Sequence, residues 1–396
     1  MRTKREKALI LFSALFLCAL LLGACGAAAP TEDALPAGTA APTPEPTPEP
    51  TPEPTPEPTP EPTEWTLTDE TAQEILDLAR FSGLRRVEAG QCREYAALLQ
   101  LRQLLPDCEI RWQVPLQGEL WPDDTEELIL DSTEGLEEAL EGLPALRFVD
   151  LTGCSPELAL MDRLYDRYPQ VDFLFSFTMG QEGKRQWELR SDCTCFSSLF
   201  TASEYYRYTE EDYYPLLRFC RHLRALDLGH SDIRDISLIG DLTELRALIL
   251  ADNPRITDIS PLANLHELTF LELFLCRDIE DFSCLYEMPH MIDLNLSYCR
   301  NLDDVGFLDQ MPDFQNGWFR NTKVTKAMVQ PYLDSRESLT FLTGAPQDPS
   351  SVLYGWRSTV RCQAIRNAFS HWRDVAEFRA WDDIEFSDER WDLTKR

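Results

Sequence analysis

A chain of 396 residues with 68 acidic against 37 basic side chains carries a formal charge of −31. That balance excludes nucleic acid and anionic lipid as partners sought by charge. At 43% hydrophobic residues the chain is long and apolar enough to bury a large core.

Residues 1–24 read as a segment removed before folding. Arg2, Lys4, Arg5 and Lys7 precede an apolar run from Ala8 to Leu22. The run is short for a bilayer span and has the length of a signal-peptide core. It ends in Leu22-Gly23-Ala24-Cys25, which resembles a bacterial lipobox. The resemblance implies that Cys25 becomes the mature N-terminus, carries lipid and anchors the protein on the outer side of a membrane.

Residues 25–64 form a Pro-rich stalk. Residues 26–42 are mostly Ala, Pro, Gly and Thr, and TPEP then occurs five times from Thr43 to Pro62. Proline at every second position removes backbone donors and fixes φ, which favours extended polyproline II. At ~3.1 Å per residue the repeat alone reaches roughly 60 Å.

The next region, 65–215, shows faint copies of the pattern L-x-x-L-x-L-x-x-N. Leu84, Val87, Ala89 and Cys92 fit it, as do Leu146, Val149, Leu151 and Cys154. Glu127 to Leu130 supplies a further strand. Amphipathic helices are expected over 93–105 and from Ser155-Pro156, a favourable cap and first turn, to about Tyr168. Strands should follow at CEIRWQV (108–114) and VDFLFSF (171–177). The region reads as an irregular α/β lead-in.

In 216–345 the pattern becomes regular. It fits Leu223, Leu226, Leu228 and Ser231; then Leu245, Leu248, Leu250 and Asn253; then Leu268, Leu271, Leu273 and Cys276; then Met291, Leu294, Leu296 and Cys299. A worn copy follows at Phe314, Gly317, Phe319 and Thr322, and successive starts lie 22, 23, 23 and 23 residues apart. A fixed period of this length is the signature of leucine-rich repeats. Each L-x-L is a short parallel strand, and no unit can bury its own leucines, so the units must stack. The second half of a unit reads Ile256, Asp258, Ile259, Ser260, Pro261, Leu262 and Leu265. It resembles the internalin type of bacterial leucine-rich repeat, which implies short helices or 3₁₀ turns on the convex side. The phrases LDLGH, LILADN, LELF, DLNLSY and GWRS are similar to extracytoplasmic leucine-rich repeat lipoproteins of anaerobic Firmicutes. That resemblance covers most of 65–396 and implies a fold and a location, with no activity attached. The expected fold is thus an α/β leucine-rich repeat solenoid with a curved parallel sheet, irregular N-terminal units and a helical C-terminal cap.

Candidate chemistry is sparse. No H-E-x-x-H, G-x-S-x-G, P-loop or dinucleotide glycine pattern occurs, so the expectation is a protein that is no enzyme and needs neither cofactor nor metal. Cys92, Cys154, Cys276 and Cys299 share one repeat position, where stacked thiols should act as weak buried donors. Cys193-x-Cys195 lacks the second pair that a metal site requires. Of the five histidines, His222, His266 and His290 stand near unit ends and read as turn residues. Ser231, His230 and Asp232 cannot converge as a triad, because neighbours on a strand point to opposite faces.

The positions between the leucines should line the concave face. Read across the units they include Asp227, Ile249, Phe270, Glu272, Phe274, Asp293, Asn295, Trp318 and Arg320, with Tyr298 at the edge. Aromatic groups flanked by charges on a face that should be wet resemble a recognition patch. The last segment, 346–396, offers a second reading. It holds GWRSTVRCQAIRNAFSHW, with Arg357, Arg361 and Arg366 making it locally basic, and it could cap the solenoid or cover that same face. The functional expectation is a lipid-anchored surface protein that binds a protein or peptide through its concave face. The alternatives are an envelope protein that binds peptidoglycan, or a hydrolase with a site hidden in 65–215.

Overall fold

A computed structural model describes residues 61–180, 186–198, 214–337, 339–344, 349–359, 361–363 and 365, all within one unit, Pro60–Arg396. The signal segment, Cys25, the stalk up to residue 60, His371 and the aromatic run after residue 365 lie outside the described residues.

Both long strands expected in the lead-in break in the middle, for the same reason. The first half of each completes a three-stranded parallel sheet: β1 (Glu64–Thr66), β2 (Arg86–Glu88) and β3 (Glu109–Arg111). The second half turns into an antiparallel hairpin of β4 (Gln113–Leu116) and β5 (Glu119–Pro122). The arrangement then recurs, with sheet β6 (Glu127–Ile129), β7 (Phe148–Asp150) and β8 (Asp172–Leu174), and hairpin β9 (Ser176–Gly180) and β10 (Gln186–Arg190). At each break the returning chain supplies a side chain to the freed backbone. Trp112 N–H donates to Asp123 Oδ1 at 3.2 Å, and Phe175 N–H donates to Ser191 Oγ at 3.1 Å. A buried backbone donor needs such an acceptor.

Helices fill the crossovers. Thr71 and Glu74 form a capping box on α1 (Ala72–Asp77). α2 (Tyr95–Leu104) buries Tyr95, Ala97, Leu98 and Leu101, spaced along one helix face. α3 (Leu136–Leu140) follows, and α4 (Leu158–Arg167) buries Met161, Leu164 and Tyr165. The helix expected to open at Ser155-Pro156 therefore starts later, at Leu158.

The regular region builds one seven-stranded parallel sheet. Its strands are β11 (Cys195–Ser197), β12 (Ala225–Asp227), β13 (Ala247–Ile249), β14 (Phe270–Glu272), β15 (Asp293–Asn295), β16 (Asn316–Trp318) and β17 (Thr340–Leu342). The template found five of these. It missed β11 because Cys193, Phe196 and Ser198 stand where the next rung has Leu223, Leu226 and Leu228. It missed β17 because α5 (Lys326–Ser335) intervenes. The worn copy has its own logic. A Cβ on Gly317 would lie 2.5 Å from the Phe341 ring, which fills the place of the missing leucine.

The inward turn after each strand recurs with one backbone solution. His230, Asp252, Leu275, Tyr298 and Asn321 all adopt positive φ, between 55° and 72°. The next residue is the small polar one. Asn253 is fully buried and uses its whole amide: Oδ1 accepts from Ser231 N–H (3.1 Å) and Ile233 N–H (3.0 Å), and Nδ2 donates to Leu228 O (2.9 Å) and Leu250 O (3.0 Å). The thiols of Cys276 and Cys299 stand in its place one and two rungs on. They donate to Leu250 O and Leu273 O, at 3.2 and 3.3 Å.

The convex turns are 3₁₀ and also share a device. Asp235, Asp258, Asp281 and Asp304 each accept the backbone N–H two residues on, at 2.8–3.0 Å. The Ser237 and Ser260 amides hold the carboxyls of Asp235 and Asp258 below their ordinary range, and the Tyr286 hydroxyl with the Gly306 amide does so for Asp304.

Two predictions rest on these turns. Asn253→Ala leaves two buried N–H groups and the Leu228 carbonyl without the partners that Asn253 supplies, while Leu250 O keeps the Cys276 thiol; urea unfolding should therefore show a loss of about 3 kcal/mol, against about 1 kcal/mol for Cys276→Ala. The three lowered carboxyls contribute stability that is present above the unfolded value of ~3.9 and is lost as pH falls through the folded values. Replacing Asp235, Asp258 and Asp304 together by Asn keeps an acceptor in each turn. The triple variant should therefore lose less stability than the parent between about pH 5 and pH 2, measured by urea midpoints.

Candidate functional site

Register fixes which side chains share the concave face. One column runs Ala225, Ala247, Phe270, Asp293, Asn316, and its neighbour runs Asp227, Ile249, Glu272, Asn295, Trp318. Both columns are buried apart from the half-buried Asn316. In the lead-in sheets the corresponding flanking positions are exposed or half-buried, and Ile129 is 77% exposed. The expectation of a wet face is therefore corrected for the regular array. Ile249, Phe270, Glu272 and Asn295 are fully buried, Phe274, Asp293, Asp227, Tyr298 and Trp318 nearly so, and only Arg320 is half-buried.

The described part of the C-terminal segment packs on Phe270, Asp293 and Trp318. Helix α6 (Pro349–Arg357) sets the Trp356 ring 5.2 Å from Phe270 and 5.7 Å from Trp318. Gly355 permits the approach, since a Cβ there would lie 2.7 Å from Trp318 Cη2. One turn beyond, Arg361 Nε lies 2.9 Å from Asp293 Oδ2, with both side chains more than nine-tenths buried. These contacts fall on β14, β15 and β16, across the face, so this stretch does more than close the last rung.

The remaining polar groups differ in how they are satisfied. Asp227 accepts from Ser197 Oγ (3.2 Å) and from Gly229 N–H (3.0 Å). Asp293 Oδ1 accepts from Asn316 Nδ2 at 2.7 Å. Asn295 Oδ1 accepts from Ser297 N–H (3.1 Å), while Asn295 Nδ2 and Trp356 Nε1 are buried without an acceptor. Arg320 Nη1 donates to Thr343 O at 2.7 Å. Phe274 meets Tyr298 edge-on at 5.6 Å. Burial pushes the Asp293 carboxyl above its ordinary range, and the Arg361 guanidinium opposes that rise.

Neither Trp356 nor Arg361 stood among the concave residues read from sequence. The signal for Arg361 was charge, an acidic face in an acidic protein and a locally basic tail; no comparable signal pointed to Trp356.

Elsewhere, a cavity of about 420 Å³ opens between α4 and the first regular rungs. Its cations are engaged by the chain itself. Arg218 pairs with Asp162 and Asp166, Arg221 donates to Pro169 O and Tyr165 O, and His222 lies between Asp172 and Glu244. Among the described residues no three His, Cys, Asp or Glu side chains gather as a metal-ligand set, and no helix is long and apolar enough to cross a membrane.

A family model for leucine-rich repeats in two copies matches residues 221–264, which contain β12 and β13. With the parallel rungs and inward turns, this makes the described residues from 214 to 342 a leucine-rich repeat solenoid. Three solved structures are similar to the chain. Internalin C2 from Listeria monocytogenes str. 4b F2365 is 17% identical, covering 56% of this chain and 78% of that one, with a TM-score of 0.29. Internalin inlF from the same strain is 16% identical over 70% and 68%, with a TM-score of 0.30. A leucine-rich repeat protein of Leptospira interrogans is 14% identical over 68% and 74%, with a TM-score of 0.29. No curated protein matches this chain.

The buried pair gives a prediction with a definite sign. Arg361→Met leaves Asp293 buried and unpaired, which should cost about 3–5 kcal/mol at neutral pH. Adding Asp293→Asn should recover most of that loss, since the amide still accepts from Asn316. A carboxyl whose folded value is raised favours the fold below its unfolded value and loses that contribution as pH rises through the folded one. The cost of Arg361→Met should therefore shrink as the pH is lowered toward about 4, read from urea midpoints of parent and variant.

Proposed function

We propose that this is a surface protein, held outside the membrane by lipid on Cys25 and lifted by the TPEP stalk, whose repeat array binds a protein or peptide without catalysis. The observation that carries the binding reading is the seating of a peptide segment on the concave face. Phe270 and Trp318 receive an aromatic ring, and Asp293 receives a guanidinium. Such a mix of aromatic anchors and a desolvated charge is characteristic of recognition surfaces. The lead-in sheets, with their exposed charged flanks, precede the regular array in the chain.

The anchor and the binding are tested separately. Cys25→Ser should move the protein from the membrane fraction into the medium, whereas retention in the membrane would contradict the lipid anchor. A photo-reactive residue at half-buried Arg320, introduced into the full chain on cells, should yield a discrete protease-sensitive adduct. The same residue at exposed Glu267 should yield none. A lysozyme-sensitive smear at Arg320 would support the peptidoglycan reading instead.

A further inference from the structure

The segment 349–365 docks in a way unlike the leucine core beneath it. Its described anchors are a tryptophan between two aromatic rings and an arginine five residues later on a buried carboxylate. Around them, Asn295 Nδ2 and Trp356 Nε1 stay buried without acceptors, although buried polar groups are almost always satisfied. A buried ion pair often holds no better than well-packed apolar groups would, and in some proteins it serves to specify which surfaces pair. By contrast, the rungs are closed by saturated amides such as Asn253. The contacts between tail and face therefore specify more than they stabilise.

We infer that the concave face is a receptor for a segment with a tryptophan on the last turn of a helix and an arginine five positions on, past the helix end, and that residues 349–365 are its built-in occupant. A partner protein that presents the same pair displaces this segment. The inference rests on the binding reading above and names the partner's chemistry. An aromatic ring enters between Phe270 and Trp318, a guanidinium reaches Asp293, and a small or absent side chain just before the aromatic leaves room for Trp318, as Gly355 does. An acceptor placed beside the ring, or near Asn295, would satisfy a donor that the tail leaves open, and so would give a partner its advantage over the tail.

The test uses the full chain carrying Trp356→Ala and Arg361→Ala, with a synthetic peptide of residues 349–365 as probe. The peptide is expected to bind the substituted chain at least ten-fold more tightly than the parent, whose own tail competes. Alanine at either the Trp356 or the Arg361 position of the peptide should weaken that binding ten-fold or more. Equal binding by all three peptides, or no binding to a substituted chain that keeps its far-ultraviolet dichroism, would overturn the inference. If the substituted chain fails to fold, amide exchange in the parent decides. Excess unsubstituted peptide should speed exchange across 352–362, and unchanged exchange would overturn the inference. Neither failure would touch the Arg320 adduct, so the binding reading can stand or fall alone.

Discussion

A parallel strand of three residues buries one side chain on the core side and can satisfy few of its own backbone groups. Everything in this array depends on how the chain turns inward after that strand. The solution is repeated rung by rung: a residue in the left-handed region, then a small polar group that bonds the backbone of its own rung, of the adjoining rung, or, at Asn253, of both. Left-handed conformations are unfavourable for residues other than glycine, yet His230, Asp252, Leu275, Tyr298 and Asn321 all adopt them. The stacked carbonyls and amides hold them there. His230 N–H reaches Ala251 O, Asp252 N–H reaches Phe274 O, and Tyr298 N–H reaches Arg320 O. Local strain in each turn is thus compensated by pairing to the next, which is why the rungs stand only as a stack.

Once the rungs are fixed, the concave face has no freedom in what it presents. The two flanking positions of every strand point to it, so their side chains, and whatever packs on them, decide whether the face is wet or covered. In the lead-in the flanks are Arg86, Glu88, Glu109, Arg111, Glu127 and Ile129, and the face stays open. In the regular rungs they are Phe270, Glu272, Asp293, Asn295 and Trp318, and the face is closed. The strand geometry is common to both halves; the change lies in the flanking side chains and in the C-terminal segment that packs on them.

The leucine pattern made the rungs legible from sequence, since spacing and core burial are the same fact seen twice. Cys276 and Cys299 were legible for the same reason. The breaks at Trp112 and Phe175 were not. CEIRWQV and VDFLFSF alternate without interruption, and the partners that split them, Asp123 and Ser191, lie 11 and 16 residues downstream. The burial of Phe274 and Trp318 was equally hidden. Nothing in a strand's own residues says whether another part of the chain will cross it. Only the opposition between an acidic face and a basic tail hinted at the contact of Asp293 with Arg361, which joins residues 68 positions apart.

The central claim is that the chain's own tail occupies a face able to receive a peptide. Hydroxyl-radical footprinting of Phe270 and Trp318 addresses it most directly, in the parent and in the chain with Trp356→Ala and Arg361→Ala. The account predicts that both rings are protected in the parent and become reactive in the substituted chain while Leu248 and Leu271, inside the rungs, stay protected. Rings that are already reactive in the parent, or that remain protected after the substitutions, would contradict it.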